Sequence, residues 1–193
     1  RNGQPLVVIG RSEPDADHVR AGNSEASRKA ATAFYESGRR LLAVIGSHTG
    51  TPAIIERESA FLSTAESLGV SVVVGRGGDC DYDGGVAAAR ALFSETITPD
   101  AVFCANDQIA FGLMDVVRLE ARLRIPADVA VIGFDDVPES AWLNYRLTTF
   151  RQDPLTMAQR AVELMERRLE NPDAPPGYER VIPELVIRQS FRP

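Results

Sequence analysis

The sequence is short of basic charge and has no long apolar run. Among its 193 residues, 21 are Lys or Arg and 27 are Asp or Glu, which gives a formal net charge of −6. Nucleic-acid binding usually needs a basic face, so we do not expect this chain to bind DNA by itself. No apolar run approaches the roughly 18 residues of a membrane-spanning helix, and no membrane partner is predicted.

Cysteine is scarce as well, since only Cys80 and Cys104 occur. Cys104 lies within the apolar run 101–105 and is predicted to be a small core residue. Two cysteines in a chain of this length are typical of a reducing compartment, which predicts a cytoplasmic location. An initial methionine and a charged-then-apolar leader are both missing. We therefore expect the sequence to begin partway through a longer protein.

Patterns of catalytic and metal-binding residues are also missing. The segment 75–80 has a cysteine where a dinucleotide loop requires its last glycine, and the segment 46–51 has no phosphate-loop lysine. His18 and His48 do not have the spacing of a metal site. The aspartates within 79–83 lack the glutamate that completes a calcium loop. We therefore predict that the protein is not an enzyme and holds no metal and no cofactor.

What the sequence does contain is an alternation of strand-like and helix-like segments. Short apolar runs rich in β-branched residues predict strands, and apolar residues at helical spacing predict helices between them. The predicted strands are Leu6–Ile9, Leu41–Ile45, Val70–Val74, Ala101–Ala105 and Val129–Phe134, and the predicted helices are Asn23–Ser37, Ile55–Leu68, Gly85–Phe93 and Asp107–Leu123. Strands that are apolar on both faces indicate a parallel sheet covered on both sides. The predicted fold is therefore α/β and doubly wound.

The alternation changes after residue 134. Residues 147–152 are predicted to form a crossing strand, and Pro154–Leu169 a long amphipathic helix with a proline in its first turn. A proline-rich loop and a pair of extended segments follow.

Polar side chains come directly after several predicted strands. In an open parallel sheet, ligands bind beyond the carboxyl ends of the strands, so these side chains are expected to meet at one edge. They are Ser47, His48 and Thr49, the segment 75–83, Asn106 with Asp107, and Asp135 with Asp136, joined by Arg57 from a helix.

Each of these side chains also has a purely structural interpretation. Asn106 or Asp107 could equally cap the following helix. Asp135 could have no role beyond shaping a turn, and Arg57 could be a solvated helix residue. Their shared edge favours a binding site, because carboxylate, amide and guanidinium groups together match the hydroxyl groups of a polar ligand.

Several motifs resemble the lactose-repressor/galactose-repressor family of bacterial transcription regulators. The motifs are FCANDQIAFG at 103–112, IPADVAVIGFDD at 125–136, LTT at 147–149 and PELVIRQS at 183–190, with Gly38-Arg-Arg40 before a strand and Arg57 before Phe61. Their order and spacing hold over nearly the whole chain.

The resemblance implies a type I periplasmic-binding-protein-like core of two subdomains, here with an incomplete first subdomain. Residues 1–147 would form the C-terminal effector-binding subdomain. Residues 148–171 would be a crossover segment and helix of the otherwise missing N-terminal subdomain, and residues 172–193 would return to the C-terminal one. The helix within 148–171 would then have no sheet of its own to cover, so we expect it to pair with a neighbouring chain or to be poorly ordered.

The resemblance also implies the site and its partners. The family's ligand-binding positions fall on Arg57, Asn106 and Asp135. Its usual aromatic residue is replaced by Cys80, for which Tyr82 is a candidate substitute. The family pairs its subunits through the helix that begins at residue 107, which predicts a homodimer with an interface at Phe111, Met114 and Trp142.

We therefore predict the effector-sensing and dimerisation region of a DNA-binding transcriptional repressor. It would bind a small polar effector such as a sugar, and it would contact operator DNA only through a missing N-terminal domain. The main alternative is a periplasmic-type sugar-binding protein of a transporter, and a third is a doubly wound enzyme such as a sugar hydrolase or kinase. The full gene separates the first two at its N-terminus, and turnover of candidate sugars tests the third.

Overall fold

The computed structural model describes residues 4–11, 13–46, 50–95 and 98–193. Its strands are β1 (Val7–Ile9), β2 (Asp17–Ala21), β3 (Leu41–Ile45), β4 (Ser71–Gly75), β5 (Ala101–Cys104), β6 (Ala130–Asp135), β7 (Thr148–Arg151), β8 (Tyr178–Val181) and β9 (Glu184–Val186). Its α-helices are α1 (Asn23–Glu36), α2 (Pro52–Ser67), α3 (Tyr82–Phe93), α4 (Asp107–Leu119) and α5 (Pro154–Glu170). A short 3-10 helix spans Pro138–Ala141.

The larger of two compact units comprises Asn23–Arg151 and Glu184–Pro193. Its sheet has the order β4-β3-β5-β6-β7-β9, in which every neighbouring pair is parallel except β7 with β9. Alternate residues of β3 face opposite layers: Ala43 and Ile45 pack with α3 and α4, whereas Leu42 and Val44 pack with α1 and α2. A sheet that is buried on both faces explains the apolar strand runs, and the predicted doubly wound α/β fold is confirmed.

The smaller unit comprises Arg1–Gly22 and Gln152–Pro183. Its parallel sheet has the order β1-β2-β8, and α5 packs on it through Met157, Ala161 and Leu164 against Val19. The expected boundaries at 147 and 172 therefore differ from the observed ones. The physical reason is strand pairing: β2 forms hydrogen bonds with β1 on one side and with β8 on the other, so residues 1–22 group with the segment that follows β7.

The expectation that α5 has no sheet of its own is wrong. The helix covers β1, β2 and β8 within its own chain and buries Met157 and Leu164. Only a second stripe, formed by Leu155, Val162 and Leu169, stays exposed. The packed helix removes the reason for expecting exchange between chains or poor order.

The interface assignments of Phe111 and Met114 also need correction. Phe111 is 3% exposed and Met114 is 0% exposed within the single chain, so neither offers a surface to a partner. The apolar residues of α4 exceed one stripe because the helix is covered twice, by the sheet on one side and by α3 and Tyr145 on another. The ring centroids of Phe111 and Tyr145 lie 4.3 Å apart. Trp142, by contrast, is 57% exposed.

Candidate functional site

The carboxyl ends of β3, β4, β5 and β6 lie at one edge of the larger sheet, because these strands are parallel and in register. We call this edge, with the side chains that reach it, the strand-end rim. The loop after β5 begins with Ala105 and Asn106, and β6 ends at Asp135. Ser47, His48 and Thr49, also predicted for this edge, lie outside the described residues.

Arg57 brings a buried cation to the strand-end rim. Its Nε donates to Asn23 Oδ1 at 2.8 Å, and its Nη1 donates to the carbonyl oxygen of Ala105 at 2.7 Å. The guanidinium carbon lies 3.5 Å from the centre of the Phe134 ring. No hydrogen bond of Nη2 to another described residue is formed, so this nitrogen can donate to a ligand.

Burial lowers the pKa of Arg57 to about 10, and the nearby carboxylate of Asp135 acts in the opposite direction. The side chain therefore remains protonated at neutral pH. Its Nη1 lies 3.6 Å from Asp135 Oδ1, so the structure brings together these two predicted ligand-binding residues.

Asp135 ends β6 in an unusual backbone conformation. Its φ is 126°, and φ of the next residue, Asp136, is 59°; both values lie in the region that non-glycine residues rarely adopt. The Asp135 side chain is 31% exposed. A partly exposed carboxylate beside a guanidinium group can accept hydrogen bonds from two neighbouring hydroxyl groups of a ligand.

Asn106 caps α4, as one of the two interpretations of the sequence anticipates. Its Oδ1 accepts from the Ile109 amide at 2.9 Å, and its Nδ2 donates to the carbonyl oxygen of Cys80 at 2.8 Å. An amide has two donor hydrogens and a second acceptor lone pair, so the capping bonds leave capacity for a ligand. These bonds also fix the orientation of the amide at the strand-end rim.

The two secondary candidates differ in position. Cys80 is half-buried and joins the rim through its carbonyl oxygen, which Asn106 binds. The Tyr82 hydroxyl donates to Asp115 Oδ2 at 2.9 Å. Asp115 lies nine residues beyond Asn106 along α4, roughly 13 Å at the usual helical rise. The expectation that Tyr82 replaces the aromatic contact is therefore corrected.

Two further aspartates organise the strand-end rim, although sequence reasoning did not select them as ligand-binding residues. Asp107 is fully buried and accepts from Ser140 Oγ at 2.6 Å and from Thr149 Oγ1. Asp136 accepts from Arg151 Nε at 2.7 Å and from Arg188 Nη2 at 2.6 Å. The acidic pair Asp135-Asp136 is visible in the sequence, but the partners of Asp136 lie 15 and 52 residues away in sequence.

A further ion pair lies close to the rim. Arg76, directly after β4, pairs with Glu58, which follows Arg57 in α2.

Within the described ranges, no three His, Cys, Asp or Glu side chains form a group able to hold a metal ion. The described side chains of the rim offer charged and neutral hydrogen-bond donors and acceptors. In the part of the chain that the structure describes, none of the helices combines the length and apolarity needed to cross a bilayer.

Comparison with protein families and curated proteins gives consistent results. A family model described as a periplasmic binding protein-like domain matches residues 31–191. The HTH-type transcriptional repressor PurR of Photobacterium profundum is 25% identical over 97% of this chain and 57% of its own length. The ribose operon repressor of Haemophilus influenzae is 26% identical, with the same two coverages. The chain thus spans little more than half the length of these relatives.

Solved structures agree with the sequence relatives. The chain matches a LacI transcriptional regulator from a Rhodococcus species with a TM-score of 0.86 and 27% identity, over 96% of this chain and 69% of that one. It matches the transcriptional regulator CelR in complex with cellobiose with a TM-score of 0.85 and 28% identity, over 98% of this chain and 59% of that one.

Proposed function

Because the chain belongs to the periplasmic binding protein-like domain family and is homologous to LacI-family regulators, we propose that it senses an effector for a transcriptional repressor. The resemblance that the sequence motifs predict is thereby confirmed. The proposed effector is a small polyhydroxylated molecule bound at the strand-end rim. Ligand binding would act through different affinities for two arrangements of the regulator.

The observation that carries this proposal is the grouping of Arg57, Asn106 and Asp135. A buried guanidinium, a fixed amide and a partly exposed carboxylate offer donors and acceptors within one small region. Such groups recognise hydroxyl and carbonyl oxygens by directed hydrogen bonds. Relatives named as repressors favour a regulator over the transporter alternative. The cellobiose complex of CelR favours a carbohydrate as the effector class.

We place DNA binding outside this sequence. The net charge of −6 opposes binding to a polyanion, and the relatives extend well beyond the matched region. We further propose a homodimer through the exposed residues near Trp142, and a cytoplasmic location for the whole regulator. As an effector sensor, the protein would release its ligand chemically unchanged.

The test measures the unfolding temperature of the 193-residue chain in titrations with pentoses, hexoses, cellobiose, sugar phosphates and purine bases. Calorimetry then measures the affinity for any compound that binds. At least one compound should bind and raise the unfolding temperature. The same compound should be recovered unchanged after prolonged incubation. Stabilisation that persists undiminished in the double variant Arg57→Ala/Asp135→Ala would place the ligand elsewhere. Conversion of the compound into a product would refute a purely sensing role.

A further inference from the structure

Asp107 is a buried carboxylate whose partners are all distant in sequence. It lies in the first turn of α4 and is 0% exposed. Thr149 Oγ1 donates to its Oδ1 at 2.5 Å, and Ser140 Oγ donates to its Oδ2 at 2.6 Å. The Val137 amide donates to Oδ2 at 3.1 Å.

These hydrogen bonds do not serve to cap α4. Asn106 is the N-cap residue and already binds the Ile109 amide. The donors to Asp107 come instead from β7, from the 3-10 helix and from the loop directly after β6. Burial raises the pKa of Asp107, while its hydrogen bonds act to lower it. A buried carboxylate is costly to keep, so its many donors indicate a specific role.

The loop that Asp107 holds is the one that presents Asp135. Asp135 and Asp136 have φ values of 126° and 59°, which persist only when neighbouring groups enforce them. Asp107 accepts from the amide of Val137, which lies two residues beyond Asp135. The enforced backbone in turn places the Asp135 carboxylate 3.6 Å from Arg57 Nη1.

Gly133 shows how closely this carboxylate is fitted. A Cβ atom built at Gly133 would lie 2.3 Å from Asp107 Oδ1, which is too close for any side chain. Glycine in the middle of β6 thus leaves the space that the carboxylate fills. The arrangement links α4, β6 and β7 at the strand-end rim.

We propose that Asp107 is a positioning residue that holds Asp135 in its binding orientation beside Arg57. The proposal rests on the proposed function only in that Asp135 contacts the effector. Asp107 itself would not touch the ligand, because it is fully buried.

The test compares Asp107→Asn with a matched control, Asp115→Asn. Both substitutions remove a carboxylate from α4, but Asp115 binds the hydroxyls of Tyr82 and Tyr145, away from the loop. In Asp107→Asn, the N–H groups of the new amide face groups that are themselves hydrogen-bond donors. Because these donors lose an acceptor, the loop should relax. Crystal structures should then show Asp135 with an ordinary φ and separated from Arg57 by more than about 4 Å, beyond ion-pair range. The control should keep both features.

Two further measurements distinguish a positioning role of Asp107 from a purely structural one. Amide exchange at Val137 should accelerate in Asp107→Asn while that of Ile109, which Asn106 caps, stays slow. If the titration above identifies a ligand such as ribose or cellobiose, its affinity should fall about tenfold or more, as for loss of a hydrogen bond to a charged group. The control should bind it as the parent does.

If Asp135 keeps its φ and its distance from Arg57 in Asp107→Asn, the proposal is overturned, whether or not affinity or stability falls. If no compound binds, the proposed function fails separately, and the crystal structures still decide the role of Asp107. If Asp107→Asn does not fold, Ser140→Ala takes its place, because it removes one donor and keeps the charge. The loop should then shift in the same direction by a smaller amount, and an unchanged Asp135 overturns the proposal.

Discussion

Arg57 shows at the residue scale how a charge is kept inside a protein. Desolvation of a guanidinium group costs free energy, and its partners must offset that cost. Here Asn23, the Ala105 carbonyl and the Phe134 ring surround the group, with Asp135 as the nearby anion. The planar fork has fixed directions, so these partners determine where its remaining nitrogen points.

We therefore predict that Arg57→Lys is not a conservative change. A single ammonium group cannot donate to Asn23 and Ala105 while also stacking on Phe134. Effector affinity should fall by about 1.5–3 kcal/mol, the range for a hydrogen bond to a charged group, and resistance to urea should fall with it. Calorimetry and urea unfolding measure the two effects. Arg28→Lys is the control, because the Arg28 side chain is 53% exposed; equal behaviour of both variants would contradict the prediction.

Asp135→Ala should separate binding from stability. The carboxylate is 31% exposed and 3.6 Å from its cation, so it contributes less to folding than a buried, closely bonded group. We expect effector affinity to weaken by about 1.5–3 kcal/mol. The unfolding free energy should change by less. Glu163→Ala on α5, whose side chain is 45% exposed, is the matched carboxylate control. Unchanged affinity in calorimetric titration would remove Asp135 from the site.

The rule that ligands bind beyond the carboxyl ends of parallel strands predicted that Asn106 and Asp135 meet at one edge, because each follows an apolar run that is visible in the sequence. Arg57 was added from a helix, and the family resemblance singled out these three residues. The rule could not show that Asp107 turns inward while Asn106 caps the helix. That choice depends on Ser140 and Thr149, which reach Asp107 only after the sheet has formed. Tyr82 was misplaced for the same reason, since Asp115 becomes its neighbour only when α3 packs on α4.

At the scale of elements, strands with two buried faces were predictable and β2 was not. Residues 41–45 and 101–104 are apolar throughout because helices cover both sides of their sheet. β2 alternates instead: Val19 and Ala21 are buried, and the residues on either side of Val19 are only partly buried. Its charged first residue, Asp17, obscures the pattern, and the segment shows its strand character only by pairing with β1 and β8.

Asp17 should make the smaller unit sensitive to acid. Arg168 donates to both carboxylate oxygens, at 2.7 and 3.0 Å, and this bonding holds the pKa of Asp17 below its usual value of 3.8. Because the pKa of Asp17 is lower in the folded state than in the unfolded chain, the carboxylate stabilises the fold at every pH above its unfolded pKa. That contribution is lost as the pH falls from about 4 through the lowered pKa.

NMR signals of the Val19 and Leu164 methyl groups, both buried in this unit, report its unfolding during an acid titration. In the parent they should shift to unfolded positions as the pH falls below about 4. Asp17→Asn removes the titrating group and should lower stability at neutral pH with a weaker dependence on acid. An identical acid profile in parent and variant would assign the sensitivity to other carboxyl groups.

At the scale of the whole molecule, exposed apolar side chains are the main feature not explained by the interior. In the larger unit, Trp142, Leu143 and Leu119 are 57%, 80% and 74% exposed. The Arg118 guanidinium donates to the Asn144 carbonyl oxygen, which ties the end of α4 to the segment that carries Trp142. Large exposed apolar groups that lie together commonly mark protein interfaces.

We expect Trp142 to lie in a two-fold dimer interface, although Phe111 and Met114 do not. Burial of a tryptophan contributes more to an interface than most residues do, so Trp142→Asp should weaken dimerisation strongly. A two-fold interface presents each substitution twice, which doubles the effect per dimer. Sedimentation velocity over a range of concentrations measures the dimer dissociation constant.

The control is Leu155→Asp, which places the same charge on a leucine of the smaller unit that is 68% exposed. The control should sediment as the parent does, whereas Trp142→Asp should sediment as a monomer at concentrations where the parent is dimeric. A parent that stays monomeric, or dimers of equal strength in both variants, would exclude this surface as the interface.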